Sequence, residues 1–439
     1  MSRFMEIKSK DIEKAFEDER RQYFVGNLKK PQHIPFVKSD NAEMGLTAYD
    51  KFTGEPAHRH SVAKEYAYVI SGRTQYMDLD TREVYEYRAG DFFATFPGTT
   101  YVQKSEAGTK MIFVKEPSIN DKELVPMDEE AKKLGYTTGR NQKGNLLIYV
   151  DGKDSEHTLG LSAHLDTLGL MVRSIKDNGK LAITKVGGPC LPTLDGEYCK
   201  IYTRDGKVYT GTILSCSPSV HVYPDASTLE RKEDTMEVRI DEVVHSKADV
   251  EKLGICNGDF ICIDTKTQIT ESGFIKSRFL DDKISATALM GVLKYLKDNN
   301  VTPQRDLVIM FSTYEEVGHG ASCLPEEVEE LLAVDMGCIG TDLACTEEDV
   351  SICAKDSSGP YDYEMITRLV ELSKENKLNY AVDIYPQYGS DVSAALRGGN
   401  DIKGALIGPG VHASHGMERT HYDGVENTMK LVVSYITKY

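Results

Sequence analysis

The chain has 439 residues, enough for roughly three domains at about 150 residues each. Hydrophobic residues make up 40% and charged residues 28%, which excludes a mostly disordered or collagen-like chain. Asp plus Glu total 69 against 52 Lys plus Arg, and the net charge of −17 argues against nonspecific nucleic-acid binding. No apolar run approaches the roughly 18–20 residues of a membrane-spanning helix, and the opening MSRFMEIKSKDIEKAF lacks an apolar signal-peptide core. All nine Cys lie from Cys190 onward without a C-x-x-C pair. They read as reduced thiols of a cytoplasmic protein, not as a zinc ribbon or a disulfide framework.

In chain order, residues 5–24 are charged and helix-like. Short alternating runs follow, among them Glu65–Ile70, Glu83–Tyr87 and Met111–Lys115, with Gly-containing turns between them. They predict an all-β barrel or sandwich over 1–118. The polar stretch Glu116–Leu124, EPSINDKEL, reads as a linker. Beyond residue 140 apolar runs alternate with helical periodicity. Leu146–Val150, Leu159–Ala163, Leu307–Phe311, Leu331–Val334 and Ala405–Ile407 read as buried parallel strands. Ile284–Leu296, Tyr361–Leu372 and Val425–Ile436 read as helices between and after them. This predicts an α/β sheet with both faces covered, over 119–172 and 268–439. Residues 173–267 read as strands only, Lys180–Val186, Cys199–Tyr202, Lys207–Leu214, Met236–Val243 and Phe260–Asp264, and so as an inserted β domain. Arg204-Asp205-Gly206-Lys207 is its clearest hairpin turn.

Two constellations carry chemistry. In the first, His58 and His60 lie two apart on a predicted strand and share a face, with Glu65 on the next strand. Two imidazoles and a carboxylate suit a divalent transition metal. The segment GEPAHRHSVAKEYAYVISG (54–72) resembles the first cupin motif, with Glu65 and Gly72 at the family spacing. GDFFATFPGTTYVQ (90–103) resembles the second, and the resemblance spans roughly residues 40–115. Where that family usually supplies a last His, this chain has Tyr101. The implied second metal site is therefore His58, His60, Glu65 and Tyr101. The other reading is a barrel that takes a small ligand, or serves assembly, without a metal.

The second constellation follows the predicted buried strands, where sites of open α/β sheets gather. LGLSAHLDTLG carries His164 and Asp166; SRFLDDKISA carries Asp281 and Asp282; LVIMFSTYEEVGHG carries Glu315 and Glu316. ELLAVDMG ends at Asp335, and ALIGPGVHASHGMERTH holds His412, His415 and His421. Taken singly, each has a bland explanation, such as helix capping by the Asp pair. Their order and shared placement point to a co-catalytic two-metal hydrolase.

Residues 134–439 resemble the tetrahedral aminopeptidases, the glutamyl aminopeptidase family, with five motifs in order and YGSDVSAA (388–395) matching a further loop. The resemblance implies a dinuclear-metal exopeptidase, an α/β/α sandwich with an inserted small β-barrel, acting on peptides with a free N-terminus as a homo-oligomer. It implies that His164 and Asp335 each bind one metal and that Asp281 bridges both. Glu316 and His415 complete the second metal, Glu315 is the general base, and Asp166 orients His164. For the last ligand His412 and His421 stay as alternatives to His415. Two divalent ions per chain are expected, zinc foremost, with cobalt or manganese also accepted by such ligands. Only about 25 residues, Ser118 to Gln142, separate the cupin-like part from the first strand of the α/β part, where the family opens with a longer helical segment. Two other functions remain open: a two-metal deacylase or amidase acting on small acylated amino acids, and a catalytically impaired ligand-binding protein.

Overall fold

A computed structural model describes residues 5–28, 32–81, 83–119, 121–124 and 126–439. The chain forms two compact units, one ending at Lys133 and the other Leu134–Tyr439.

The first unit is built from two five-stranded antiparallel sheets. One runs in the order Arg21–Val25, Glu43–Tyr49, Thr109–Glu116, Lys64–Ser71, Phe92–Thr95. The other runs Lys122–Leu124, Thr53–His60, Tyr101–Ser105, Arg73–Asp78, Val84–Arg88. Burial alternates strictly along Glu43–Tyr49, as a strand with one face on a core requires. Tyr49, Ala67, Val69, Phe93 and Met111 of the first sheet pack with Tyr76 and Tyr87 of the second. The helix-like opening is shorter than its composition predicts. Only Ser9–Ala15 is helical; Arg21–Val25, rich in strand-forming Tyr, Phe and Val, pairs with Glu43–Tyr49. The linker reading of Glu116–Leu124 also changes: Lys122–Leu124 pairs with Thr53–His60. Residue 120 and the first four residues of the chain lie outside the described residues.

The second unit centres on a ten-stranded mixed sheet. Its middle is parallel, in the order Arg305–Ser312, Asp154–His164, Val328–Val334, Lys403–Val411. Leu331, Ala333 and Leu406 pack with Val392 and Ala395 of the helix Asp391–Arg397. The alternate residues Leu332, Val334, Ala405 and Ile407 are equally buried, so both faces are covered. Leu146–Val150 departs from expectation and pairs antiparallel with Arg305–Ser312. The link Asp151-Gly152-Lys153 turns the chain straight back, and it is far too short for the crossover that a parallel arrangement needs. Val350–Asp356 likewise lies antiparallel to Lys403–Val411.

Between these strands the chain closes a six-stranded barrel: Gly169–Ile175, Leu181–Val186, Met236–Ile240, Val208–Ser215, Tyr198–Tyr202, Phe260–Ile263, and back to the first. Ile183, Ile201, Ile213, Val238 and Leu170 fill it. Gly206 holds the Arg204–Lys207 turn at φ +81°, a conformation costly for a residue with a Cβ. Among the described residues no helix is long and apolar enough to cross a membrane.

Candidate functional site

The parallel strands of the second unit deliver their residues to one edge. His164 is the last residue of Asp154–His164, Asp335 follows Val328–Val334, and Glu315 and Glu316 follow Arg305–Ser312. Asp281 and Asp282 open the helix Leu280–Asp298 with non-helical backbone angles. Helix capping does not explain the Asp pair. The Asp282 carboxylate accepts the His164 backbone N–H at 3.1 Å, and Asp281 faces the His164 ring.

His164 Nε2 lies 2.9 Å from Asp281 Oδ1 and 3.8 Å from Glu315 Oε2. His415 Nε2 lies 3.6 Å from Asp281 Oδ2 and 3.7 Å from Glu316 Oε2. Asp281 thus stands between the two imidazoles. Ligand atoms of His164, Glu315 and Asp335 lie within 4.8 Å of one another, and so do those of His164, Asp281 and Glu316. The other loop histidines are placed elsewhere. His412 is exposed. His421 meets the Ser272 carbonyl at 2.8 Å and caps the helix Tyr422–Lys438 through Asp423 N–H. His319 stacks on Tyr314.

Asp166 does more than stand beside the His164 ring. The nearest acceptor to His164 Nδ1 is the Asp166 backbone carbonyl, at 3.1 Å; the carboxylate is at 3.6 Å. The two carboxylate oxygens instead accept the backbone N–H groups of Glu315 and Glu316, each at 3.1 Å. Asp166 therefore fixes the glutamate pair and the histidine tautomer together. With Nδ1–H donated to the Asp166 carbonyl, His164 aims Nε2 at Asp281, and Nε2 is the nitrogen through which the ring would ligate a cation.

Residues that sequence reasoning left without a role complete the support. Glu418 accepts N–H groups from both Asp281, at 3.1 Å, and His415, at 3.0 Å, tying two distant segments together. Asp391 holds Ser312 Oγ at 2.6 Å and Ala321 N–H at 2.9 Å behind the glutamate pair. Tyr388 donates its hydroxyl to the Met336 carbonyl at 3.1 Å, beside Asp335. Gly408 lies so close under Asp335 that a Cβ there would fall 1.3 Å from the Asp335 carbonyl oxygen. All four stand in quoted motifs, Tyr388 and Asp391 in YGSDVSAA and Gly408 and Glu418 in ALIGPGVHASHGMERTH, but without an assigned role. Phe279, Tyr314 and His415 have positive φ of 63°, 66° and 61°. Non-glycine residues in this region each cost about 1–3 kcal/mol and collect at functional sites.

The electrostatics follow from burial of many acids together. Burial, with the charge of Asp281, pushes Glu316 up to about 9 and Asp335 up to about 7. Burial, then the fields of Asp335 and Asp391, lifts Glu315 well above the carboxylate range against the opposing pull of His164. Burial alone would depress His164; contacts with Asp166 and Asp281 raise it well above the usual imidazole value. Asp282 Oδ1 and Glu316 Oε1 are buried with no hydrogen-bond partner among the described residues. Unpaired buried oxygens are costly, and a divalent cation would satisfy them. The donor set, imidazole nitrogens and carboxylate oxygens, fits such an ion.

In the first unit, His60 Nδ1 lies 2.8 Å from Asp121 Oδ1, and His60 Nε2 lies 3.8 Å from Glu65. Tyr101 donates to Glu65 at 3.1 Å, and the rings of His58 and Tyr101 are 4.5 Å apart. The four residues thus line one region. Among the described residues, however, no three His, Cys, Asp or Glu residues of the first unit bring ligand atoms within 4.8 Å of one another. The clustered thiols Cys338, Cys345 and Cys353 are free, and burial pushes Cys345 and Cys353 up to about 12, as for inert core residues.

A mixed α/β sheet with a barrel insertion and a buried imidazole–carboxylate cluster at its strand ends defines a metallohydrolase. The family model of the M42 glutamyl aminopeptidases matches residues 144–431. The inferred aminopeptidase YhfE of Bacillus subtilis (strain 168) is 44% identical over 340 residues, 77% of this chain and 98% of the relative. The glutamyl aminopeptidase of Lactococcus lactis subsp. cremoris (strain MG1363) is 25% identical over 187 residues, 42% of this chain and 52% of the relative. The solved TET1 peptidase of Pyrococcus horikoshii, which can assemble into a tetrahedron or a large octahedral shell, superimposes with a TM-score of 0.62. It shares 23% identity over 71% of this chain and 93% of that one, which shows a common fold. The chain belongs to the M42 glutamyl aminopeptidase family, and its enzyme class is metallo-aminopeptidase.

Proposed function

We propose that the chain removes single residues from peptides with a free N-terminus, using two divalent ions and Glu315 as general base. The observation that carries this reading is Asp281 standing between His164 and His415, with Glu315 beside His164. His164, Asp281 and Asp335 would hold one ion; Asp281, Glu316 and His415 would hold the other. Ions held there supply Lewis acidity toward the scissile carbonyl and lower the pKa of the attacking water.

The chain's own groups do the rest. Glu315 takes a proton from the water at its carboxylate and returns it to the leaving amine, a task suited to a carboxylate whose proton affinity burial has raised. Asp166 keeps Glu315 aligned by binding its N–H. The cavity at the site is about 230 Å³ and is lined by Asp281, Glu315, Asp335, Tyr388, Arg397 and His415.

The remaining parts of the reading are zinc as the native ion, a homo-oligomer and a cytoplasmic location. The first unit would be a regulatory or assembly domain. The proposed domain division is 1–118, then 119–172 with 268–439, and 173–267 as the insert. The family model and the P. horikoshii fold support the catalytic part. The test is digestion of a free and an N-acetylated peptide library by metal-stripped protein refilled with zinc, cobalt or manganese, read by mass. Metal-dependent loss of single residues from free N-termini is the expected result. Cleavage of the acetylated library alone would replace the reading with a deacylase.

A further inference from the structure

The first unit holds a cavity of about 810 Å³, within the size range of small-molecule sites. Its wall is heavily charged, and most of those charges are already paired. Lys115 lies 3.2 Å from Glu43, and Lys122 lies 2.8 Å from Glu55, which Arg20 also meets at 2.9 Å. Two charges of opposite sign remain, Arg21 and Glu65.

Arg21 lies with its guanidinium over the Phe113 ring, 4.6 Å from the centroid, and gives its Nε–H to Thr47 at 3.2 Å. Among the described residues no carboxylate lies within 4.0 Å of it. The outer edge of the guanidinium is the fork that grips carboxylates through two parallel N–H bonds. Glu65 likewise has no Lys or Arg within 4.0 Å among the described residues. Tyr101 satisfies part of one oxygen.

The neighbour of Glu65 is His60, whose orientation is fixed from behind. Asp121 accepts the N–H groups of Val62, at 2.9 Å, and Ala63, at 2.7 Å, and its other oxygen faces His60 Nδ1 at 2.8 Å. With Asp121 accepting from Nδ1–H, the ring directs Nε2 toward Glu65. His60 Nε2 then presents a lone pair to the Glu65 carboxylate at 3.8 Å. Two acceptors facing each other call for a multivalent donor between them. An ammonium, with three N–H bonds, fits that gap.

We propose that this cavity binds a small zwitterion, an α-amino acid, with its carboxylate on Arg21 and its ammonium between Glu65 and His60. The site belongs to the first unit alone and does not depend on the peptidase reading. It gives that unit a ligand of the same chemical class as the product of an aminopeptidase.

The test is calorimetric titration of the full-length, metal-loaded protein with L-leucine, with 4-methylpentanoate, which lacks the ammonium, and with isoamylamine, which lacks the carboxylate. Arg21→Lys and Glu65→Gln are titrated in parallel, with circular dichroism as the folding check. Arg21→Lys keeps the charge and removes only the fork, so it carries the test if Glu65→Gln does not fold. The expected result is an L-leucine binding event that weakens at least tenfold in both variants. Each single-charge analogue should bind at least tenfold more weakly than L-leucine. Crystals grown with L-leucine should show it between Arg21 and Glu65. Identical L-leucine isotherms for wild type and both variants would overturn the proposal by placing all binding at the catalytic cluster. A zinc or manganese titration reaching a third ion per chain, lost in His60→Ala, would overturn it in favour of a metal.

Discussion

The two charged clusters of this protein solve the problem of burying ions in opposite ways. In the first unit most acids and bases are matched, with Arg21 and Glu65 the exceptions: Glu43 has Lys115, Glu55 has Arg20 and Lys122, and Asp121 has two backbone N–H groups and His60. In the second unit Asp281, Asp282, Glu315, Glu316 and Asp335 crowd together against two imidazoles, and two of their carboxylate oxygens have no hydrogen-bond partner among the described residues. The matched cluster is stable by itself. The unmatched one is a cost to the fold until a cation enters, which is how a binding site differs from a structural salt-bridge network.

The sharpest way to test this contrast is to separate proton transfer from ion binding. Glu315→Gln should lower turnover by about 10²–10⁴-fold, the range for a general base, while metal content by elemental analysis stays that of the wild type. Unchanged turnover would remove Glu315 from the mechanism.

Next in size is the support beneath the ligands. Glu418→Gln loses an acceptor for the N–H of either Asp281 or His415, and the affinity for zinc should fall about 10–100-fold, as for other groups that hold ligands in place. Competitive titration against a chelating dye reads it. An unaltered affinity would show that the two segments are held by other contacts.

The third effect is on stability and pH. Asp335 and Glu316 bind protons in the folded state up to about 7 and about 9, above their unfolded values. Between those values the folded chain carries more protons than the unfolded chain, so stability falls as pH rises. Metal-stripped protein should therefore lose on the order of 2 kcal/mol between pH 5 and pH 8, and added zinc should abolish the slope. Thermal melts across that range check it; a metal-stripped protein that gains stability toward pH 8 would contradict the crowded-acid picture.

The smallest effect lies in the matched cluster. Asp121→Asn should destabilise the protein by about 1–3 kcal/mol, the cost of weakening bonds to a buried carboxylate, and leave zinc content untouched. A change in zinc content would mean that the two clusters are not independent.

Much of the catalytic part was legible because its signals are local. Runs such as Leu159–Ala163 and Leu331–Val334 announce buried strands, and the acids and histidines just past them mark one edge of a sheet. The antiparallel course of Leu146–Val150 was not legible, because an apolar run has no direction. Nor was the strand Arg21–Val25, which follows directly on a charged, helix-like run and declares itself only through its partner strand.

The sequence by itself determined which residue types reach the strand ends and in what order, since periodicity and turn chemistry act over a few residues. Tertiary structure alone decided which of them meet. Strand Glu418–His421 pairs with Phe274–Ser277, which sends His421 to a helix cap and leaves His415 beside Asp281 and Glu316. The same pairing seats Glu418 under both Asp281 and His415, and Asp166 reaches across nearly 150 positions to the glutamate pair. Such meetings depend on sheet register and chain crossing, and these are set by packing among residues far apart in the chain.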